Sequence, residues 1–195
     1  MDQILLFLIS SLVLTLMPGP DILFVLNQSL ENKKSGFLIS IGLCSGLVIH
    51  TLILMFGLSV FIETNEYLIN YLKYFGALYL FYLAYVEFQT KLNKEIESNS
   101  TNLFFRGLYM NLVNPKVLLF FIAYFPNFLF SETISVSLQF LILGSIFISQ
   151  ALIIFFIVSI ASNNLSSYLK IDIRNKKLTY FKSVVFIVIG LLILF

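Results

Sequence analysis

Two charged residues lie inside long apolar runs, each directly after a proline break. Asp21 follows Pro18-Gly19-Pro20, and Lys116 follows Asn114-Pro115. Ionised side chains in such surroundings are costly and usually functional. An acid and a base placed this way could exchange a proton or hold the two ends of a zwitterion. Pro20 cannot continue the hydrogen-bond ladder of a preceding helix, but it suits the first position of a new one. Asp21 then occupies the first turn of a half-helix, where the positive end of the dipole favours an anion. It reads either as a proton site or counter-charge for a cationic group, or as the cap of a kinked helix. A neutral Ser or Asn would cap at lower desolvation cost. Lys116 holds the equivalent position, where a cation opposes the dipole. A carboxylate partner or an anionic ligand must offset it. Asp21 is the obvious partner, and the free N–H groups of the break could join Lys116 on a ligand carboxylate. Snorkelling to the surface is the structural alternative. Lys116 follows Arg106 by ten residues, roughly 15 Å of helix, which is deep for that.

Fewer signals surround this pair. Asn111 and Asn114 flank the second break, where their amides could bind ligand or cap freed backbone groups. Gly42, Gly46 and His50 are spaced by four and share one helix face. Gly42 and Gly46 form a GxxxG pattern, which lets helix backbones approach closely. That face serves either a homo-oligomer or the internal core, and its sharing with His50 favours the core. His50, the single histidine, reads as a hydrogen-bonded neutral imidazole or as a proton relay beside Asp21. Gln150, with Ser145 and Ser149, gives its helix a polar face that lines a path or joins helices. Tyr79 and Tyr82 are deep enough to contact a substrate, whereas the other tyrosines between 67 and 85 suit a membrane interface. Glu87 suits a solvated position near a span end. Cys44 alone cannot build a disulfide or a metal cluster.

These residues need membrane-spanning elements to position them. Hydrophobic residues make up 59% of the 195, charged residues 11%, and mean hydropathy is +0.96. Soluble domains carry about 25% charged residues. There is room for one domain, 1–195, and no soluble catalytic or nucleic-acid-binding module. The start, Met1-Asp2-Gln3, lacks the basic region of a secretory signal and reads as the first span. Spans need about 20 apolar residues. Six segments qualify, approximately 4–29, 37–62, 67–89, 105–130, 135–161 and 181–195, the last short and starting a few residues earlier or ending flush with the surface. Ten of the twelve basic residues fall on loops 1–2, 3–4 and 5–6 and their flanks. The positive-inside rule puts those loops in the cytoplasm and both termini outside.

The two breaks align at an offset of 95 residues, from Pro20 to Pro115. Each half then holds three helices, so the second is upside down relative to the first, as in many secondary transporters. The expected fold is an all-α integral membrane protein of two inverted three-helix repeats, about 1–90 and 103–195, joined by a linker at 90–102. Helices 1 and 4 are broken at Pro18–Pro20 and Pro115. Gly76 and Gly190, one in the third helix of each half, are expected packing positions with Gly42 and Gly46. No GxxxxGK[ST] motif is present, so no ATP-driven engine. No nucleophile–base pair marks an enzyme, and no cofactor is expected.

Four segments together resemble the LysE/RhtB family of amino-acid exporters. They are Leu16-Met-Pro-Gly-Pro-Asp-Ile-Leu-Phe-Val25, Gly36-Phe-Leu-Ile-Ser-Ile-Gly42 with Gly46, Lys73-Tyr-Phe-Gly-Ala-Leu-Tyr-Leu-Phe-Tyr-Leu83, and Gly107-Leu-Tyr-Met-Asn-Leu-Val-Asn-Pro-Lys116. They run nearly the whole chain in order. The resemblance implies export of amino acids or close derivatives across a bacterial inner membrane by proton antiport. It carries the family's two motifs onto Pro18, Gly19, Pro20, Asn114, Pro115 and Lys116, and leaves the amino acid open. The short sixth helix departs from the pattern. With it the residues read as an alternating-access exporter. Lys116 and the half-helix N-termini hold the substrate carboxylate. Asp21 holds the ammonium or exchanges a proton, and the two pair when the site is empty. One rival is a divalent metal exporter, which Lys116 beside the only candidate ligands, Asp21 and His50, argues against. The other is a non-transporting scaffold, which needs no charge after each break.

Overall fold

Apolar helices interrupted by proline dominate the structure. The computed structural model describes residues 2–17, 19–65, 67–89, 102–162 and 176–194. Those residues form helices and connecting turns, with no strand among them. In chain order the helices are α1 (Asp2–Leu16), α2 (Pro20–Glu31), α3 (Lys33–Ile53), α4 (Ser59–Thr64), α5 (Tyr67–Gln89), α6 (Leu103–Leu112), α7 (Pro115–Tyr124), α8 (Val136–Ile160) and α9 (Lys176–Leu194). A π-helical segment, Leu54–Leu58, joins α3 to α4 without a break, and a 3-10 turn, Phe125–Phe128, ends α7.

The prolines do what their chemistry requires. Pro20 and Pro115 each open a helix, where a missing N–H costs nothing. The flanking helices bend by 53° at both places, α1 against α2 and α6 against α7. Lys33–Thr64 and Val136–Ile160 are long and apolar enough to cross a membrane unbroken, and each bent pair passes the same test when taken as one span. The remaining two helices fall short of it for different reasons. At 23 residues α5 is long enough, but Asn70, Lys73 and its tyrosines dilute its hydropathy. In α9, a helix of 19 residues, the described apolar stretch is Tyr180–Leu192. The helix does begin before 181, at Lys176. The linker 90–102, apart from Asn102, and the basic residues Lys91, Lys94, Lys170 and Arg174 lie outside the described residues, as does Pro18.

Glycines set the tightest crossings. A Cβ on Gly42 would collide with the main-chain oxygen of Phe104, and one on Gly107 with the main chain at Ile39. Thus α3 and α6 meet backbone to backbone, and the GxxxG face is spent inside the molecule. Gly46 lies against the Asn111 side chain, Gly76 against Ala123 of α7, and Gly190 against the Phe81 ring of α5. All four expected packing glycines therefore sit at close helix contacts. α5 and α9 form a pair, joined also by Ser183 Oγ donating to the Ala84 carbonyl at 2.9 Å.

An aromatic cluster fills the space between α1, α7 and α8. Phe7, Phe121, Tyr124 and Phe125 are all buried. Phe121 stacks on Phe125 with ring centroids 4.3 Å apart. Gln139 clamps the turn before α8: its Oε1 accepts from Phe130 and Ser131, and its Nε2 donates to the Ser131 and Ile134 carbonyls. The π segment is similarly secured, since Ser137 Oγ of α8 donates to the Met55 carbonyl at 2.5 Å. Such bonds matter where no water can satisfy freed backbone groups.

Candidate functional site

The two breaks converge on one cavity. Its described lining includes Gly19, Pro20 and Asp21 from the first break and Asn111, Asn114 and Lys116 from the second. The acid and the base are brought together, close enough for the Lys116 charge to act on the Asp21 carboxylate. The rest of the wall is apolar or aromatic, including Leu47 of α3, Leu83 of α5, Phe120 of α7, Phe147 and Phe155 of α8, and Phe186 of α9. The space measures about 100 Å³. One water needs roughly 10–15 Å³ on this measure, so the cavity suits a small molecule.

Each polar group has a definite local setting. Gly19 caps α2 with extended backbone and no side-chain bond. The leading N–H groups of a helix have no intrahelical carbonyl one turn back, and the Leu23 N–H bonds the Gly19 carbonyl at 3.1 Å. Asp21 Oδ1 is buried and makes no hydrogen bond. At the second break Asn114 caps α7, its side chain accepting from the Lys116 N–H at 3.1 Å. Asn114 thus caps freed backbone and also lines the cavity. Lys116 Nζ lies 4.8 Å from the centre of the Phe186 ring. A cation over an aromatic face is attracted by the ring quadrupole. The lysine stem therefore turns toward α9 rather than to the surface. Asn111 is buried, and its Oδ1 also lacks a hydrogen-bond partner.

Other expected positions are not among the described lining. Pro18 is not described, and the Pro115 side chain and Glu87 side chain are likewise outside the described residues. His50 is buried behind the wall. Neither ring nitrogen makes a hydrogen bond. Its ring centre is 5.3 Å from that of Phe121, and the Asn111 main chain lies beside it. Gln150 joins helices: Ser11 Oγ donates to its Oε1 at 2.7 Å, and its Nε2 donates to the Leu8 carbonyl at 3.0 Å. Ser145 and Ser149 bond to carbonyls of their own helix. Tyr79 and Tyr82 lie beside one another and not on the cavity, which α5 reaches through Leu83 instead. Cys44 is a buried free thiol.

Residues 12–195 match the LysE type translocator family. The chain belongs to that family. Among curated proteins, this LysE-type chain is similar to the leucine efflux protein of Salmonella typhimurium (strain LT2), 33% identical over 130 residues. The match takes in 63% of the chain and 61% of that relative, less than two thirds of its length. It is also similar to the leucine efflux protein of Enterobacter sp. (strain 638), 28% identical over 146 residues, covering 71% of the chain and 69% of the relative. No solved structure matches.

The aromatic and aliphatic wall escapes a reading based on polar residues. Phe186 is the clearest case. It precedes Gly190 by four and follows Lys182 by four, so all three share the buried face of α9. That spacing marks its helix face, whereas its contact with Lys116 is set by where α9 docks. Phe120 and Phe147 carry no such mark, because they are two of 22 phenylalanines.

Proposed function

We propose that this chain exports an amino acid with an apolar side chain across the bacterial inner membrane by proton antiport. The observation that carries the reading is the shared cavity: an acid from one break and a base from the other, set in an apolar wall. A zwitterion has matching parts. Its carboxylate suits Lys116 and the start of α2, since the leading N–H groups of α7 already bond to Asn114. Its ammonium suits Asp21 Oδ1 and Asn111 Oδ1, two buried acceptors without a hydrogen bond in the protein. Leaving such groups unsatisfied costs about 1–3 kcal/mol each, which a bound ammonium would offset. The side chain then meets Leu47, Phe120, Phe147 and Phe155. A leucine-sized group fits that wall, in keeping with the relatives named for leucine efflux.

The architecture in this reading is a single domain of six spans in two inverted repeats, with both termini outside. The equal 53° bends at the two breaks support it. So do the pairings of α3 with α8 and α5 with α9, since each joins helices that occupy equivalent places in the two halves. Asp21 holds the ammonium and, once substrate has left, takes up the proton carried back in exchange. His50 stands one layer behind, next to Asn111, so its part in proton movement is indirect. Among the described residues no three His, Cys, Asp or Glu side chains converge, so the metal-export rival lacks a donor set there.

The test is flux in proteoliposomes with an imposed proton gradient and a panel of labelled amino acids and divalent metals. Leucine and similar apolar amino acids should move, gradient-dependently. Lys116→Met should lower that flux at least about tenfold, the scale of a lost charge-assisted hydrogen bond, while the protein stays monodisperse. Unchanged flux in that variant would sink the carboxylate assignment. Transport of metals but not amino acids would overturn the reading altogether.

A further inference from the structure

A second cavity opens at the end of the bundle where α1 and α5 begin and α9 finishes. It holds about 460 Å³. Its polar lining comes from Gln3 and Ser10 of α1, Asn70 and Lys73 of α5, and Asn127 of the 3-10 turn. Lys73 is the one charged side chain among the described residues that line it. Asn127 Nδ2 already donates to the Ala123 carbonyl at 2.6 Å, which leaves its Oδ1 as an acceptor.

A chain of side-chain contacts links this space to the central cavity. Phe120 lines the central wall. It stacks on Tyr124 with ring centres 4.4 Å apart. The buried Tyr124 hydroxyl is hydrogen-bonded to Ser10 Oγ, and Ser10 lines the second cavity. Three side chains therefore reach from one space to the other. The chemistry on the two sides is related. Each has one lysine, side-chain amides and apolar surface. They differ in size, the second space being the larger and more polar, so it would hold a small zwitterion less closely.

We propose that the cavity around Lys73 is a second, weaker amino-acid site, filled after substrate passes the Tyr124–Ser10 contact. Lys73 takes the carboxylate, and Asn70 and Asn127 accept from the ammonium. This inference rests on the export reading above, with the end that carries Lys73 facing outward. It makes release stepwise: a departing amino acid exchanges one lysine for another before reaching water. It also gives external amino acid a place to bind and oppose export.

Equilibrium binding of labelled leucine to the purified full-length chain tests this. The wild type should show a tighter and a weaker component. Lys73→Met should weaken only the weaker one, by at least about tenfold, and Lys73→Arg should keep it. Lys116→Met should remove the tighter component and leave the weaker. A wild-type isotherm with one component, unaffected by Lys73→Met, overturns the second site and leaves the central one standing. Loss of both components in Lys73→Met also overturns it, because Lys73 would then support the fold and not a ligand. Absence of any leucine binding to the wild type defeats the export reading and this inference together.

Discussion

Phe186 sets an aromatic face beside the ammonium of Lys116. A cation over an aromatic face is worth about 0.5–2 kcal/mol, more where water is excluded. Held there, the lysine keeps a defined position while remaining beside the cavity. Phe186→Leu preserves the apolar contact and removes the quadrupole. Half-saturation for the exported amino acid should rise a few-fold, with little change in thermal stability; concentration-dependent flux measures this. The charged pair itself is legible in the sequence, because a lysine after a proline in an apolar run has no cheap structural explanation. Phe186 is not legible in the same way. Its role depends on where α9 docks, and docking is decided by packing against α5, which no local pattern of α9 encodes.

The two half-helices are capped unequally. Asn114 holds the start of α7 with a side-chain bond, whereas Gly19 offers α2 none. Asn114→Ala should therefore cost about 1 kcal/mol of stability, read as a lower unfolding midpoint in detergent. Gly19→Ser should gain a few tenths of a kcal/mol, since a Cβ there meets only the Met17 carbonyl oxygen at an ordinary 3.8 Å. Packing glycines behave differently. A methyl group at Gly42 meets the Phe104 main chain, which has no rotamer to relax into. Gly42→Ala should destabilise by about 1–3 kcal/mol, while Gly57→Ala, with open space around it, should not. The helices and both breaks are readable from hydropathy and proline alone. The destination of the GxxxG face is less so, because the same four-residue spacing serves a dimer or an internal crossing. Gly107, the reciprocal glycine on α6, is what commits it to the inside.

For the whole molecule, orientation is the property that gives transport a direction. In the proposed orientation Asn32 lies in the cytoplasm and Asn65 outside. Both are exposed at helix ends. In a Cys44→Ser background, a cysteine at position 65 of intact cells should react with a membrane-impermeant maleimide, and one at position 32 should not until the membrane is opened. The reverse pattern would place the termini in the cytoplasm and turn the proposed release site into an entry site. Global arrangement is partly legible. The 95-residue offset relates the two bent pairs, and the structure gives both the same bend. The layout of the walls is not, because phenylalanine is so abundant here that its positions carry little information. α5 is less apolar than a span usually is, but its length and its pairing with α9 keep it in the bundle.

The π-helical segment between α3 and α4 amounts to one residue more than a regular helix would hold. Beyond it, Glu63 accepts a hydrogen bond from the Val136 N–H at 3.0 Å, setting a negative charge at the positive end of α8. The wider winding absorbs about the 100° that this extra residue would otherwise add, so Glu63 keeps its place at α8. Deleting Gly57 lets the segment return to ordinary winding with everything after it in nearly the same orientation. Chain length in this span is therefore less constrained than volume at the helix crossings: a one-residue deletion at this uncrowded glycine should disturb the protein less than Gly42→Ala, visible as the higher yield of folded protein.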